Sequence, residues 1–200
     1  MSLLIIASVL LGIIVGKMGI LAGFIQYIDL ISTLALNLLL FSVGIELGRN
    51  KEIWQRLANY GWRIILIPLG VALGTLLGSA FISQAIDLPV NQALAVGAGF
   101  GWYSLSGVLL NELVSPELGT IAFLSNVFRE LLAVIIIPLV ALKFGSLTAV
   151  APGGATSMDT TLPFVNKAAG ADIALMAFIS GATLTALVPI LVPLFVNWPL

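Results

Sequence analysis

Apolar stretches of about 20 residues, the length needed to cross a bilayer as a helix, recur along this chain. A water-soluble fold would have too little polarity left to cover its surface. Only 8 Lys+Arg and 9 Asp+Glu occur among 200 residues, 60% of which are hydrophobic, whereas an ordinary soluble domain carries about a quarter charged residues. Mean hydropathy is +1.17. The expected fold is all-α: a polytopic membrane helix bundle of about six spans, forming one transmembrane domain over residues 1–200.

The formal charge of −1 argues against a polybasic surface for nucleic acid. With no Cys and no His, thiolate or imidazole metal sites, Cys nucleophiles and His acid–base chemistry are excluded, and neither a metal nor a cofactor is expected. The opening MSLLIIASVLLGIIVGK lacks a basic region ahead of its apolar run, so residues 2–16 read as a retained first span. Residues 28–48 form the second. The segment RNKEIWQRLANYGWR at 49–63 holds Arg49, Lys51, Arg56 and Arg63, and the positive-inside rule places it, and the N-terminus, in the cytoplasm. A third span is expected at about 64–84, with Gly70, Gly74 and Gly78 on one face suited to close helix packing. A fifth, about 118–142, follows the turn Ser115-Pro116-Glu117, and a last span covers about 170–196.

Two segments break this pattern. VNQALAVGAGFGWYSLSGVLLNEL carries Gly97, Gly99, Gly101 and Gly107 beside Trp102, Tyr103, Ser104 and Ser106. Glycine costs about 1 kcal/mol against alanine in a helix interior. Broken backbone at membrane depth survives only where protein or a wet cavity satisfies it. A discontinuous or re-entrant segment is therefore expected near 97–106, and a second at 151–163, APGGATSMDTTLP. A pair of interrupted segments is the best pointer in a sequence to a transporter's substrate site.

Ionisable residues at depth mark candidate sites, because each costs about 2.5–3.5 kcal/mol on insertion scales. Asp159, with Thr156 and Ser157 just before it, could hold an ammonium or a proton; alternatively it caps the following helix. Asn126, Arg129 and Glu130 share one arc of about 100° in the middle of the fifth span. Arg129 could receive a substrate carboxylate or pair with Glu112 or Glu46 from another helix, and Glu130 could relay protons. Glu46 and Glu112 are thus gate or ion-pair candidates. Trp102 and Tyr103 could close over an ammonium or simply pack, and Ser104 and Ser106 line the same break.

The strings GFGWYSLSGVLL (Gly99–Leu110), AFLSNVFRELLAVIIIP (Ala122–Pro138), GGATSMDTTLP (Gly153–Pro163) and VGIELGRN (Val43–Asn50) make the chain similar to the LysO-type lysine exporters along nearly all of its length. The resemblance implies an exporter of L-lysine in the cytoplasmic membrane, not an enzyme, with Asp159 matching the family's TSMD aspartate. Longer family members carry a further N-terminal membrane segment of about 100 residues, which would add roughly three helices. A homo-oligomer or a separate short subunit is therefore expected to complete the site. Lysine carries net charge +1, so exporting it against an inside-negative membrane costs about 2.3 kcal/mol per 100 mV. Exchange with an entering proton cancels that electrical cost. The competing readings are a non-catalytic scaffold subunit and an intramembrane aspartyl protease using paired carboxylates. The sequence contains no G-x-S-x-G, H-E-x-x-H or G-x-G-D string.

Overall fold

The computed structural model describes residues 62–199 and, before them, residues 11, 12, 14–18, 27, 30, 31, 34 and 38. Most of the first two expected spans, the basic segment as far as Gly61, and Glu46 lie outside the described residues. The chain divides into two compact units, Met1–Ile45 and Glu46–Leu200. The described residues of the first unit are helical and largely exposed; the remainder concerns the second unit.

The described residues of that unit are helical, with no strand among them. A 3-10 turn at Trp62–Ile65 leads into α1 (Leu66–Ser83), where Pro68 sits in the first turn, the part of a helix that tolerates proline. The turn after α1 holds Asp87 at φ 52, and Pro89 is the N-cap of α2 (Val90–Gly97). A non-helical stretch separates α2 from α3 (Tyr103–Leu113). The 29-residue α4 (Pro116–Phe144) begins with Ser115, whose side chain accepts from the Leu118 N–H, and with Pro116 in the first turn. Gly145, at φ 97, ends it. Two 3-10 turns follow, Ser146–Val150 and Gly154–Met158, then α5 (Leu162–Ala169) and the 26-residue α6 (Ala171–Val196).

Polarity in this unit is inside out. On α1, Leu69, Leu73, Leu77 and Phe81 recur on one face and are exposed, Phe81 to 83%. On α4, Phe128, Leu132, Ile135, Leu139 and Leu142 do the same, Leu142 to 84%. Asn126 and Glu130, on the same helix, are only 4% and 8% exposed. In water this apolar surface would be an aggregation hazard; in hydrocarbon it is the correct outer face. Leu66–Ser83 and Asp172–Val196 are long and apolar enough to cross a membrane.

Close packing concentrates around α3, α4 and α6. A Cβ on Gly119 of α4 would come within 2.7 Å of the Gly107 carbonyl on α3, so these helices touch backbone to backbone. Gly70, Gly74 and Gly78 of α1 face no described atom within 4 Å.

Candidate functional site

The two breaks meet. In the first, Trp102 N–H donates to the Gly99 carbonyl at 2.7 Å, while Phe100 and Gly101 take φ of 47 and 106. Phe100 is fully buried. Its carbonyl, turned outward by that geometry, accepts the N–H of Ala155 in the second break at 2.8 Å. Approach is closest at Gly154, φ 59, where a Cβ would run into the Phe100 carbonyl oxygen and lie 2.8 Å from Nη2 of Arg129. Glycine is required there by both conformation and space. The second break is held from behind by α6, because the single Ser157 hydroxyl hydrogen is shared between the Ala177 carbonyl, 2.8 Å away, and the Gly154 carbonyl, 2.6 Å away. Thr156 Oγ1 donates to the Gly153 carbonyl at 2.8 Å and lies 3.4 Å from Thr161 Oγ1.

Helix α4 supplies the polar side chains that satisfy both breaks. Asn126 serves the first: its Oδ1 accepts from Gly101 N–H at 2.7 Å, and its Nδ2 donates to Ser106 Oγ at 3.2 Å and to the Ala122 carbonyl at 2.9 Å. Ser106 Oγ in turn donates to the Trp102 carbonyl at 2.8 Å. One turn further on, Arg129 serves the second break. Its Nε donates to the Pro152 carbonyl and its Nη2 to the Ala151 carbonyl, each at 3.2 Å. Its Nη1 reaches across to Thr75 Oγ1 on α1, also at 3.2 Å. All three acceptors are neutral. The guanidinium thus meets orphaned carbonyls where a 3-10 turn ends, a position that favours a cation.

Glu130 leaves α4 in another direction. Its carboxyl faces the Thr160 side chain and lies within electrostatic reach of Asp159, and Tyr103 senses both acids. Thr160 also hydrogen-bonds Asp159 Oδ1 through its N–H at 2.5 Å and its hydroxyl at 3.3 Å. Tyr103 is steadied by an edge-to-face contact with Phe123, centroids 5.5 Å apart. The N-cap of α5 is Thr161 rather than Asp159. Tyr103, Glu130, Asp159 and Thr160 therefore form one polar cluster beside the crossing. Two carboxylates, a hydroxyl and a phenol suit an ammonium or a proton.

Of the residues singled out from sequence, Asn126, Ser106, Arg129, Thr156, Ser157, Glu130, Asp159 and Tyr103 gather at the crossing or at this cluster. Trp102 contributes through its backbone as the N-cap of α3, and Ser104 is half-buried in the first turn of that helix. Glu112 stands exposed nine residues beyond Tyr103, about 13 Å along the helix. Arg129 directs its hydrogen bonds elsewhere. Thr160 adjoins Asp159 in the hydroxyl-rich second break, whereas Thr75 is not among the sequence candidates. The available signal for Thr75 was the hydroxyl stripe Thr75, Ser79 and Ser83, at four-residue spacing on an otherwise apolar helix. Among the described residues no group of three His, Cys, Asp or Glu side chains could hold a metal ion. A cavity of about 780 Å³, lined by Ile64, Ile67, Val71, Leu147, Met176 and their neighbours, reaches the start of the second break at Ala151. It has no charged lining residue and does not suit a zwitterion.

The family model described as Lysine exporter LysO matches residues 6–196. The chain is 39% identical over 194 residues to the Lysine exporter LysO of Escherichia coli, an overlap covering 97% of this chain and 64% of that protein. It therefore spans just under two thirds of that relative's length. To the "putative lysine exporter" of Haemophilus influenzae it is 31% identical over 195 residues, 98% of each chain. No solved structure matches the chain. A match running from residue 6 to residue 196, through both breaks and the α4 side chains that hold them, places this chain in the lysine exporter LysO family.

Proposed function

We propose that this chain exports L-lysine across the cytoplasmic membrane in exchange for protons, with Asp159 and Glu130 as the groups that hold either the lysine ammonium or a proton. One observation carries the reading. Glu130 is buried in the middle of α4 within electrostatic reach of the exposed Asp159, while the adjacent basic residue, Arg129, hydrogen-bonds two carbonyls and a hydroxyl. Two acids brought together at membrane depth cannot both remain ionised without a cation. Lysine leaving and a proton entering supply that cation alternately, and the swap cancels the electrical cost of moving lysine outward. The names of the Escherichia coli and Haemophilus influenzae relatives support lysine as the cargo.

The α-carboxylate of lysine goes to the first turn of α3, whose N-cap carries no side-chain hydrogen bond, or to the guanidinium N–H groups of Arg129 that its three internal acceptors leave over. Tyr103 forms the wall beside the ammonium. Helices α2 and α3, with 8 and 11 residues, are about 12 and 16 Å long, so neither alone crosses a hydrocarbon core of about 30 Å. Both breaks then lie near the middle of the layer, with the N-terminus and residues 49–63 in the cytoplasm, and residues 1–200 act as one transport domain. A second copy or a short membrane subunit completes the assembly. Family membership favours transport over peptide hydrolysis as the work of these carboxylates.

The test is lysine efflux from proteoliposomes holding labelled lysine, with internal pH followed by a dye. Wild-type protein should couple efflux to acidification, and Asp159→Asn should abolish both. Normal coupled exchange by Asp159→Asn would sink the assignment.

A further inference from the structure

Arg129, on α4, hydrogen-bonds both α1 and the second break, and its contact on α1 is Thr75. The hydroxyl of Thr75 donates its hydrogen to the Val71 carbonyl at 2.8 Å. What remains on that oxygen is lone-pair density, and it points at Nη1 of Arg129, 3.2 Å away. The α1 backbone thus orients the hydroxyl as an acceptor. A guanidinium at depth needs every acceptor it can reach, and this one keeps the fork turned so that Nε and Nη2 meet Pro152 and Ala151.

The consequence extends to the cluster. Ala151 and Pro152 open the break that continues through Gly154, against Phe100, to Asp159 and Thr160. From Pro152 to Asp159 the chain has no full α-helical turn to stiffen it, only a 3-10 turn. Its path is set at one end by Arg129 and in the middle by the contacts of Ala155 with Phe100 and of Ser157 with Ala177. We propose that Thr75 is a positioning residue for lysine transport: by holding Arg129 on the first carbonyls of the second break, it fixes where Asp159 and Thr160 stand relative to Glu130. This rests on the reading that Asp159 and Glu130 hold the cargo. Without the Thr75 acceptor the break relaxes in the empty protein and must be re-ordered when lysine binds, so the loss is seen in apparent affinity before maximal rate.

Efflux kinetics in proteoliposomes, normalised to folded protein by size exclusion, test this with a graded series. Thr75→Ser keeps the acceptor and should leave the half-saturating lysine concentration within about twofold of wild type. Thr75→Val keeps the shape without the acceptor and should raise it about tenfold, the size expected for one hydrogen bond to a charged donor, with maximal rate little changed. Thr75→Cys, a weak acceptor, should fall between. If Thr75→Val yields no folded protein, Thr75→Cys decides alone, and an unchanged half-saturation there overturns the proposal. In an Arg129→Lys background Thr75→Val should add little further loss; a full tenfold on top would place its effect elsewhere and also overturn it. Asp159→Asn run in parallel separates two failures. Thr75→Val behaving normally beside an inactive Asp159→Asn removes only the role of Thr75, whereas a normal Asp159→Asn removes the reading of the carboxylates themselves.

Discussion

Gly154→Ala probes the crossing of the two breaks most directly. An alanine at φ 59 costs about 1–2 kcal/mol from its own backbone sterics. Its Cβ would collide with the Phe100 carbonyl oxygen and stand 2.8 Å from Arg129 Nη2. Relief requires the two breaks to separate, which removes the 2.8 Å bond from Ala155 N–H to Phe100 and leaves two buried backbone groups unpaired, roughly 1–3 kcal/mol more. A total of about 2–5 kcal/mol should lower the melting temperature of detergent-solubilised protein by roughly 5–15 °C. Lysine efflux should fall by at least about tenfold, the effect of 1.4 kcal/mol or more on a site whose two walls have moved apart. Gly70→Ala is the matched control. No described atom lies within 4 Å of its added Cβ, and alanine is favoured over glycine in a helix by about 1 kcal/mol, so its melting temperature should hold or rise. If Gly154→Ala melted with wild type and exported lysine at the wild-type rate, the breaks would not cross at this residue.

Other substitutions separate support from chemistry. Asn126→Ala strands the Gly101 N–H and removes a partner from Ser106, so thermal stability should drop by about 1–3 kcal/mol; unaltered melting would mean that Gly101 has another acceptor. Glu130→Gln removes a titratable group at nearly constant volume. Melting should be unchanged or slightly raised while efflux no longer acidifies the vesicle lumen, and intact proton coupling would assign the proton to Asp159 alone. Ser115→Ala removes the cap that accepts from Leu118. It should cost about 1 kcal/mol in melting experiments and leave the half-saturating lysine concentration unchanged, since Ser115 lies far along α4 from the acids.

The long elements are legible in sequence because their signals are local. Ser115-Pro116 starts α4 and Gly145 ends it, and the expected span at about 118–142 differs from the helix by two residues at each end. The interruption between Gly97 and Tyr103 is legible for the same reason, since several glycines in a short stretch cannot hold a helix. Partner identity is not local, and there the sequence misleads. An arginine at depth suggests a carboxylate on another helix, so Glu112 and Glu46 come to mind. The break itself, however, presents two carbonyls with no helical N–H to take them, and Arg129 meets those together with Thr75. Nothing in the spacing of the chain announces that residues 129 and 151 lie side by side. The proximity of Asp159 to Glu130 is hidden likewise, because it depends on how the second break turns between Gly154 and Thr161.

The order of residues on α4 keeps Arg129 and Glu130 from pairing with each other. Consecutive residues on a helix point about 100° apart, and residues three or four apart share a face. Asn126 therefore stands between Arg129 and Glu130 in projection, with the two charged residues on opposite flanks of one polar arc. Had arginine and glutamate been three or four positions apart, they would have formed an ion pair that an incoming ammonium must break. Adjacency in sequence instead sends the guanidinium to the opening carbonyls of the second break and the carboxylate to its far end at Thr160. The cation stabilises backbone that could not otherwise exist at this depth, and under the proposed mechanism the anion serves a positive charge that comes and goes. The same geometry makes a specific demand on any active variant: moving the arginine to position 126, in line with Glu130, should yield a protein that binds lysine weakly even if the break finds other donors. Lysine would then have to displace an internal cation of equal charge. Competition of that kind raises the half-saturating concentration without changing which cargo is chosen, and efflux kinetics on an Asn126→Arg, Arg129→Asn double variant would measure it.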